Sequence, residues 1–239
     1  LFLSNFFQNF VKKLSNLIFR YSEYNVAPSM YLFHPFEKRY PDNTIYISNT
    51  INLLKYDYVE RNALHPKILW VRSLSSIYNP EMAIRCVAML KEKYPMVSLT
   101  MVGPDKENLL QDCRNLTEKL GITVAFLGKL EKDDWIKLSR DFSIFINTSN
   151  YDNMPISLIE AMALGLPVVT TNVGGIPFLI ESGVDGLLVE SNDIIPMVSK
   201  IKMLLDDHSL VQNLTINARK KASSMDWNSI KNEWIKILT

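Results

Sequence analysis

Two carboxylates, Asp152 and Glu160, stand with seven residues between them where a turn runs into a helix-forming stretch, Pro155 to Leu164. A helix that starts beyond a strand offers unpaired backbone N–H groups and the positive end of its dipole, and a diphosphate fits there without a metal. Glu160 lies about one and a half turns into that helix. From there its carboxylate can accept hydrogen bonds from a ribose, while Asp152, on the turn itself, can accept them from sugar hydroxyls. Two carboxylates flanking a phosphate nest would hold a nucleotide sugar at both ends. Blander readings stay open at this point: an Asp before a helix is commonly its cap, and a mid-helix Glu commonly faces solvent.

Other residues with chemical potential carry less. Asp133-Asp134 has the look of an acidic metal-binding pair, but it opens a helix before Trp135, where acidic side chains complement the dipole. His34, His65 and His208 are scattered, with no nucleophile or acidic partner at motif spacing. Gly174-Gly175 fits a tight backbone turn. Cys86 and Cys113 sit in helix-like patterns without metal-ligand spacing, as buried thiols in a reducing compartment would.

The elements that position the carboxylates alternate in type after Lys67. Short apolar runs (68–71, 97–102, 124–127, 142–147, 167–171 and 186–189) are joined by helix-like stretches at 79–90, 107–120, 132–139 and 155–164. Asn79-Pro80-Glu81 supplies a cap, a first-turn proline and an acidic first turn. Such alternation predicts an α/β fold with a doubly wound, Rossmann-like parallel sheet covered on both faces. Ligands of such sheets bind beyond the carboxyl ends of the strands, where strand order reverses. The loops at 72–78, 103–106, 128–130, 148–154 and 172–176 therefore matter most. Three C-terminal helices follow, at 194–205, 210–223 and 227–238.

Ahead of Lys67 the pattern is less regular. Leu3, Phe6, Phe7, Phe10, Leu14, Leu17, Ile18 and Tyr21 recur at helical spacing opposite Gln8, Lys12, Lys13 and Ser15, a face that needs a partner. Pro28, Pro35 and Pro41 break helix and predict loop or edge structure at 27–42. A strand is expected at 45–47 and a linker or hinge at 48–65. The domain division that follows is 1–66 and 67–239. A net charge of +1 supplies no broad basic field, which argues against nucleic acid. The first 21 residues are interrupted by polar side chains too often for a spanning helix, and they lack the pattern of a secretion signal. The chain begins at Leu, which suggests that an N-terminal portion precedes it.

The run from Asp152 to Glu160, continued by Ala161-Met162-Ala163-Leu164-Gly165-Leu166-Pro167-Val168-Val169 and by Gly174-Gly175-Ile176-Pro177, resembles the signature of family 4 retaining glycosyltransferases of the GT-B fold. That signature is an acidic residue, seven residues, then Glu. Asn49 resembles the family's Pro-Asn-Gly segment and Val71-Arg72 its Gly-Arg element. Gly103-Pro104 and Phe126-Leu127-Gly128 are similar to the loops after its second and third strands. The resemblance covers the chain from about Ile45 onward, as the C-terminal donor-binding domain preceded by a partial N-terminal, acceptor-side domain remnant.

By that resemblance Glu160 binds the nucleotide ribose, Asp152 meets the transferred sugar, and Arg72 neutralises the diphosphate, the three catalytic candidates. The donor-binding candidates are Gly103, Lys129, Leu130, Asn153, Met154, Pro155, Ile156 and Ser157. Ile156 and Ser157 would offer backbone N–H groups, and Lys129 and Leu130 would border the base. Three departures stand out. Asp replaces the commoner Glu at 152, Pro155 replaces a Gly, and the Lys-Gly expected after the Arg is replaced by Ile77-Tyr78-Asn79, leaving Lys129 or Lys106 as substitutes for the lost cation.

The resemblance implies a hexosyltransferase-type enzyme that moves a sugar from a UDP- or GDP-type donor to an acceptor hydroxyl with retention, in cell-surface glycan synthesis. Cofactors are expected to be none and metal none, the nucleotide sugar being substrate. The acceptor would be carbohydrate or lipid-linked, in the cytoplasm and at the inner membrane face if a missing N-terminal domain adds peripheral membrane association; this chain alone need not turn over. Two rival readings remain: a non-catalytic nucleotide-sugar-binding partner module of a glycosyltransferase complex, and an NAD-dependent oxidoreductase, although no Gly-x-Gly-x-x-Gly follows any strand.

Overall fold

The computed structural model describes residues 2–61 and 64–239, with the backbone alone for residues 2–8. Its main body is a six-stranded, all-parallel sheet. In chain order the strands are β3 (Lys67–Val71), β4 (Ser98–Val102), β5 (Val124–Phe126), β6 (Ile144–Asn147), β7 (Val168–Thr171) and β8 (Leu187–Val189), arranged β5-β4-β3-β6-β7-β8. Order reverses between β3 and β6, where Ile68 pairs with Ile144 and Leu69 with Phe145. The crevice for a ligand therefore opens beyond Val71 and Asn147.

The inner strands β3, β4, β6 and β7 are buried on both faces, which explains why they read as apolar runs. Side chains alternate between faces. Ile68, Trp70, Ile144 and Ile146 join one core cluster, with side chains of α3 (Pro80–Lys91) and α8 (Ile194–Asp206). Leu69, Phe145 and Val168 join the other, with α5 (Lys132–Leu138), α6 (Ile156–Ala163), α7 (Ile176–Leu179) and α9 (His208–Ser224). α4 (Leu110–Leu120) and α10 (Trp227–Leu238) complete this body. Asn79 caps α3 as expected, its side chain accepting from the Met82 N–H, with Pro80 and Glu81 in the first turn. The expected helix at 107–120 begins later, at Leu110, and the expected loop at 172–176 ends in the short helix α7.

A smaller unit precedes the sheet. β1 (Asn25–Ala27) and β2 (Thr44–Tyr46) pair in parallel, joined by α2 (Met30–Arg39). α2 corrects the expectation of loop or edge structure at 27–42. Ser29 caps it, accepting from the Leu32 N–H, and Pro35 lies inside it. Proline in a helix interior costs about 3 kcal/mol, offset here by aromatic packing. Phe36 meets Phe19 edge-on at 4.9 Å between ring centroids, and Phe33 meets Tyr46 at 6.2 Å.

α1 (Phe2–Tyr21) is helical throughout, as its period predicts, but the face it packs is not the one expected. Phe19, Ser15 and Asn16 are half-buried, Asn16 accepting from the Tyr40 hydroxyl, while Phe10, Leu14, Leu17, Ile18 and Tyr21 are exposed. The side chains of Leu3, Phe6, Phe7 and Gln8 lie outside the described residues.

The segment expected to be a hinge is strapped to the main body through residues 49–61; Asn62 and Ala63 lie outside the described residues. Ile51 bridges to Asp226, and the buried Tyr56 joins the second core cluster. Among the described residues Arg61 has no carboxylate partner. Its guanidinium donates to five backbone carbonyls, those of Val59, Ser139, Phe142, Leu164 and Gly165. Burial lowers its pKa to about 10, so it stays charged at neutral pH. Arg219 adds bonds to the carbonyls of Tyr56 and Ala163. Removing Arg61 strands several buried acceptors, so Arg61→Met is expected to destabilise the chain by about 3 kcal/mol in urea unfolding.

Candidate active site

The switch point between β3 and β6 delivers the groups that the sequence marks. Arg72 is the first residue after β3, and its guanidinium pairs with the carboxylate of Asp152, which sits on the loop between β6 and α6. Arg72 also stacks over the Tyr78 ring, with Cζ 4.9 Å from the centroid. Its Nε is buried and has no hydrogen-bond partner among the described residues.

Burial pushes the Asp152 carboxyl above the usual aspartate value, while the Arg72 charge and the amides of Asn153 and Met154 pull it back. The capping reading of Asp152 fails, because Pro155 holds the N-cap position and the carboxylate is spent on Arg72.

Glycines set the backbone spacing. A Cβ on Gly103, which has φ +146°, would lie 1.9 Å from the Arg72 carbonyl oxygen. One on Gly174 (φ +54°) would lie 2.1 Å from the Asp152 carbonyl oxygen, and one on Gly175 would lie 1.7 Å from that of Asn153. The Gly175 N–H also donates to the Asp152 carbonyl at 2.9 Å. Thus the Gly174-Gly175 pair clamps the turn that carries Asp152, the tight approach its composition suggests.

A cleft of about 400 Å³ opens beside this turn. Arg72, Gly103, Lys129, Leu130 and Ser157 line it together, joined by Ser73, Tyr78, Lys132 and Trp135. Ser157, in the first turn of α6, has a buried hydroxyl without a partner among the described residues. Two polar atoms without a partner among the described residues, Arg72 Nε and Ser157 Oγ, thus belong to residues that line one cleft, and left unpaired they carry a desolvation penalty.

Glu160 lies one turn beyond Ser157. Its side chain is only 4% exposed, so the solvated-face reading fails too. The Tyr56 hydroxyl donates to its Oε1 at 2.6 Å, and Lys132 Nζ donates to the same oxygen. Lys132 lines the cleft, whereas Glu160 and Asp152 do not, each reaching it through a partner that does, Lys132 and Arg72.

The remaining candidates lie elsewhere. Asn153 accepts from the Ser29 hydroxyl, and the Met154 carbonyl accepts from Asn49 Nδ2 at 3.1 Å, so these two face the N-terminal unit. Neither Pro155 nor the half-exposed Ile156 lines the cleft. Of the two substitute cations, Lys129 lines it while paired with Glu131 at 3.2 Å, and Lys106 does not. Asp133 pairs with Lys55 at 3.6 Å, and none of the three histidines lines the cleft.

Sequence reasoning missed Tyr56, Tyr78, Trp135 and Lys132. Lys132 carried a weak signal, since it follows the loop after β5. Tyr56 carried none, because its segment has no period.

The family model described as "Glycosyl transferases group 1" matches residues 59–221, more than half of the chain. The chain belongs to this family. Among curated relatives of this group 1 chain, the D-inositol 3-phosphate glycosyltransferase of Corynebacterium diphtheriae is 28% identical over 171 residues, 69% of this chain and 40% of that protein. The N,N'-diacetylbacillosaminyl-diphospho-undecaprenol alpha-1,3-N-acetylgalactosaminyltransferase of Campylobacter jejuni is 28% identical over 171 residues, 72% of this chain and 42% of that protein. The matched part therefore spans less than half the length of these relatives.

Among solved structures, Anabaena HepE in complex with UDP and glucose superposes with a TM-score of 0.84 over 97% of this chain and 67% of that one, at 22% identity. The likeness is one of fold, that of GT-B glycosyltransferases. Membership in group 1 leaves the NAD-dependent oxidoreductase reading without support.

Two outcomes follow for this group 1 site. Arg72→Met removes the charge that holds the Asp152 carboxyl down, so a carbon-13 NMR titration is expected to place the Asp152 midpoint at a higher pH than in the unmutated chain. Gly175→Ala puts a methyl group into the Asn153 carbonyl and is expected to cost about 1–3 kcal/mol in urea unfolding.

Proposed function

We propose that this chain is the donor-binding part of a retaining, hexosyltransferase-type glycosyltransferase that moves a sugar from a UDP- or GDP-linked donor to an acceptor hydroxyl. The observation that carries the reading is that Arg72 and Ser157, which line one switch-point cleft, each hold a buried polar atom without a partner among the described residues, with the buried Glu160 one turn beyond Ser157 and its partner Lys132 on the cleft wall.

In this reading the donor's diphosphate lies against Arg72, the Ser157 hydroxyl and the amino end of α6, with the pocket's lysines adding positive charge. The bond from the anomeric carbon to the phosphate oxygen breaks with its electron pair on the diphosphate, where Arg72 and the helix end stabilise the growing charge, while the acceptor oxygen bonds to the anomeric carbon and gives its proton to the departing diphosphate. Glu160 accepts from the ribose and Asp152 from the sugar, so both act by positioning. Lys129 and Leu130 border the base. Asn153, Met154, Pro155 and Ile156 shape the turn under the sugar. No metal or other cofactor takes part.

The relatives support the substrate classes. HepE is described with UDP and glucose, and the Campylobacter relative is named for a diphospho-undecaprenol acceptor. We extend this to a carbohydrate or lipid-linked acceptor in cell-surface glycan synthesis, at the cytoplasmic membrane face. Among the described residues no helix is long and apolar enough to cross a membrane. The acceptor would be held by an N-terminal domain of which residues 1–66 form the end, residues 67–239 being the donor domain.

Calorimetric titration of the 239-residue chain with UDP and with GDP, in metal-free buffer and with NAD as control, tests the reading. One nucleotide is expected to bind saturably, and Glu160→Ala is expected to weaken it about tenfold or more, the scale of a lost hydrogen bond to a charged group. Binding of neither nucleotide, or full binding by the Glu160 variant, would overturn it.

A further inference from the structure

Glu160 is a buried carboxylate on a helix, and a carboxylate on a flexible side chain recognises a pair of neighbouring hydroxyls only when its own orientation is held. The two donors that reach it converge on one oxygen, Oε1. Oε2 accepts no hydrogen bond from any of the described residues. The two donors differ in kind. Tyr56 is 2% exposed and comes from the strap between β2 and β3, 104 residues away in sequence. Lys132 is half exposed and reaches in from the cleft side on a long side chain.

We propose that Tyr56 is a positioning residue for nucleoside recognition: its hydroxyl pins Oε1 of Glu160 so that Oε2 is free to accept from the ribose. Lys132 is the exchangeable partner, neutralising Glu160 while the site is empty and moving into the cleft when the ribose arrives. The inference rests on the donor-site reading of Glu160 given above.

Three further observations agree with it. Burial and the neighbouring Glu160 push the Tyr56 hydroxyl far above the usual tyrosine range, so it remains a neutral donor wherever the protein is folded. The backbone carbonyl of Tyr56 is held by Arg219 at 2.6 Å, which fixes the residue from its main chain as well. Tyr56 also ends a 3-10 turn whose first N–H, that of Leu53, donates to Asp226 at 2.9 Å. The strap thereby ties the geometry of the nucleoside site to the turn between α9 and α10.

The test compares binding of the ribonucleoside diphosphate, UDP or GDP, with that of its 2′,3′-dideoxy counterpart, by calorimetry on the 239-residue chain. The unmutated chain is expected to prefer the ribonucleotide by about tenfold or more, as a charged acceptor for hydroxyls implies. Tyr56→Phe keeps the ring and removes only the donor. It is expected to shrink that preference at least about threefold while leaving dideoxynucleotide binding unchanged, a pattern that mere loss of packing would not produce.

Tyr58→Phe, in the same strap but bonded to Thr215, is expected to retain the full preference. In a Glu160→Ala background, Tyr56→Phe should have no further effect on the ratio. An unaltered preference in Tyr56→Phe, with Glu160→Ala having abolished it, overturns the positioning role alone. A preference that survives Glu160→Ala overturns the donor-site assignment, and the positioning role with it. Should Tyr56→Phe not fold, the unmutated chain carrying carbon-13 at the tyrosine Cζ atoms decides: the Tyr56 resonance is expected to shift with the ribonucleotide and not with the dideoxynucleotide, and equal shifts overturn the proposal.

Discussion

Burying a carboxylate is tolerable only if its charge is matched and hydrogen-bonded, since an unpaired buried charge costs several kcal/mol. Glu160 imposes that constraint on this protein, and much of the surrounding structure answers it. It requires Tyr56 from the strap before the sheet and Lys132 from the helix after β5, two segments with no local reason to meet. Arg61 and Arg219 then tie the strap to carbonyls of the main body. The carboxylate and the chain path around it are held in place together.

The second acidic residue is managed differently. Asp152 lies on a turn, and its position comes from backbone compression, with Gly103 against Arg72 and Gly174-Gly175 against residues 152 and 153. Side chains larger than hydrogen at these points would push the β4 loop off the β3 loop and the β7 loop off the β6 loop, disturbing both sides of the gap at the switch point. The Arg72 and Asp152 pair closes across that gap, and its residual unsatisfied nitrogen shows that the pair does not exhaust the guanidinium. Glycine here is a matter of distance between two backbones as much as of dihedral angle.

The N-terminal unit shows tertiary packing overriding local signals. Pro35 argues against helix, yet aromatic contacts from Phe33, Phe36 and Tyr40 hold α2 together. In α1 the period was legible and the buried face was not. Asn25 and Asn43 bond to the Phe19 carbonyl, drawing the Phe19 side inward and leaving Leu14, Leu17 and Ile18 exposed. A hydrophobic stripe states that a helix is amphipathic, and says nothing of which neighbour is there to meet it.

The sequence by itself determined the alternating strands and helices from Lys67 onward, the two-faced parallel sheet, and the turn and helix that carry Asp152 and Glu160. These depend on short-range periodicity and on a motif confined to one stretch of chain, both of which survive in a linear reading. It also singled out Arg72, Gly103, Lys129, Leu130 and Ser157, which the fold brings to one cleft because each follows a strand or opens a helix at the carboxyl edge of the sheet. Only the tertiary structure decided that Glu160 is buried rather than solvated, that Asp152 is paired rather than capping, that Asn153 and Met154 face the N-terminal unit, and that Tyr56 and Lys132 belong to the site. Burial and partner choice are sums over residues distant in sequence, and Tyr56 in particular sits in a segment with no period to announce it.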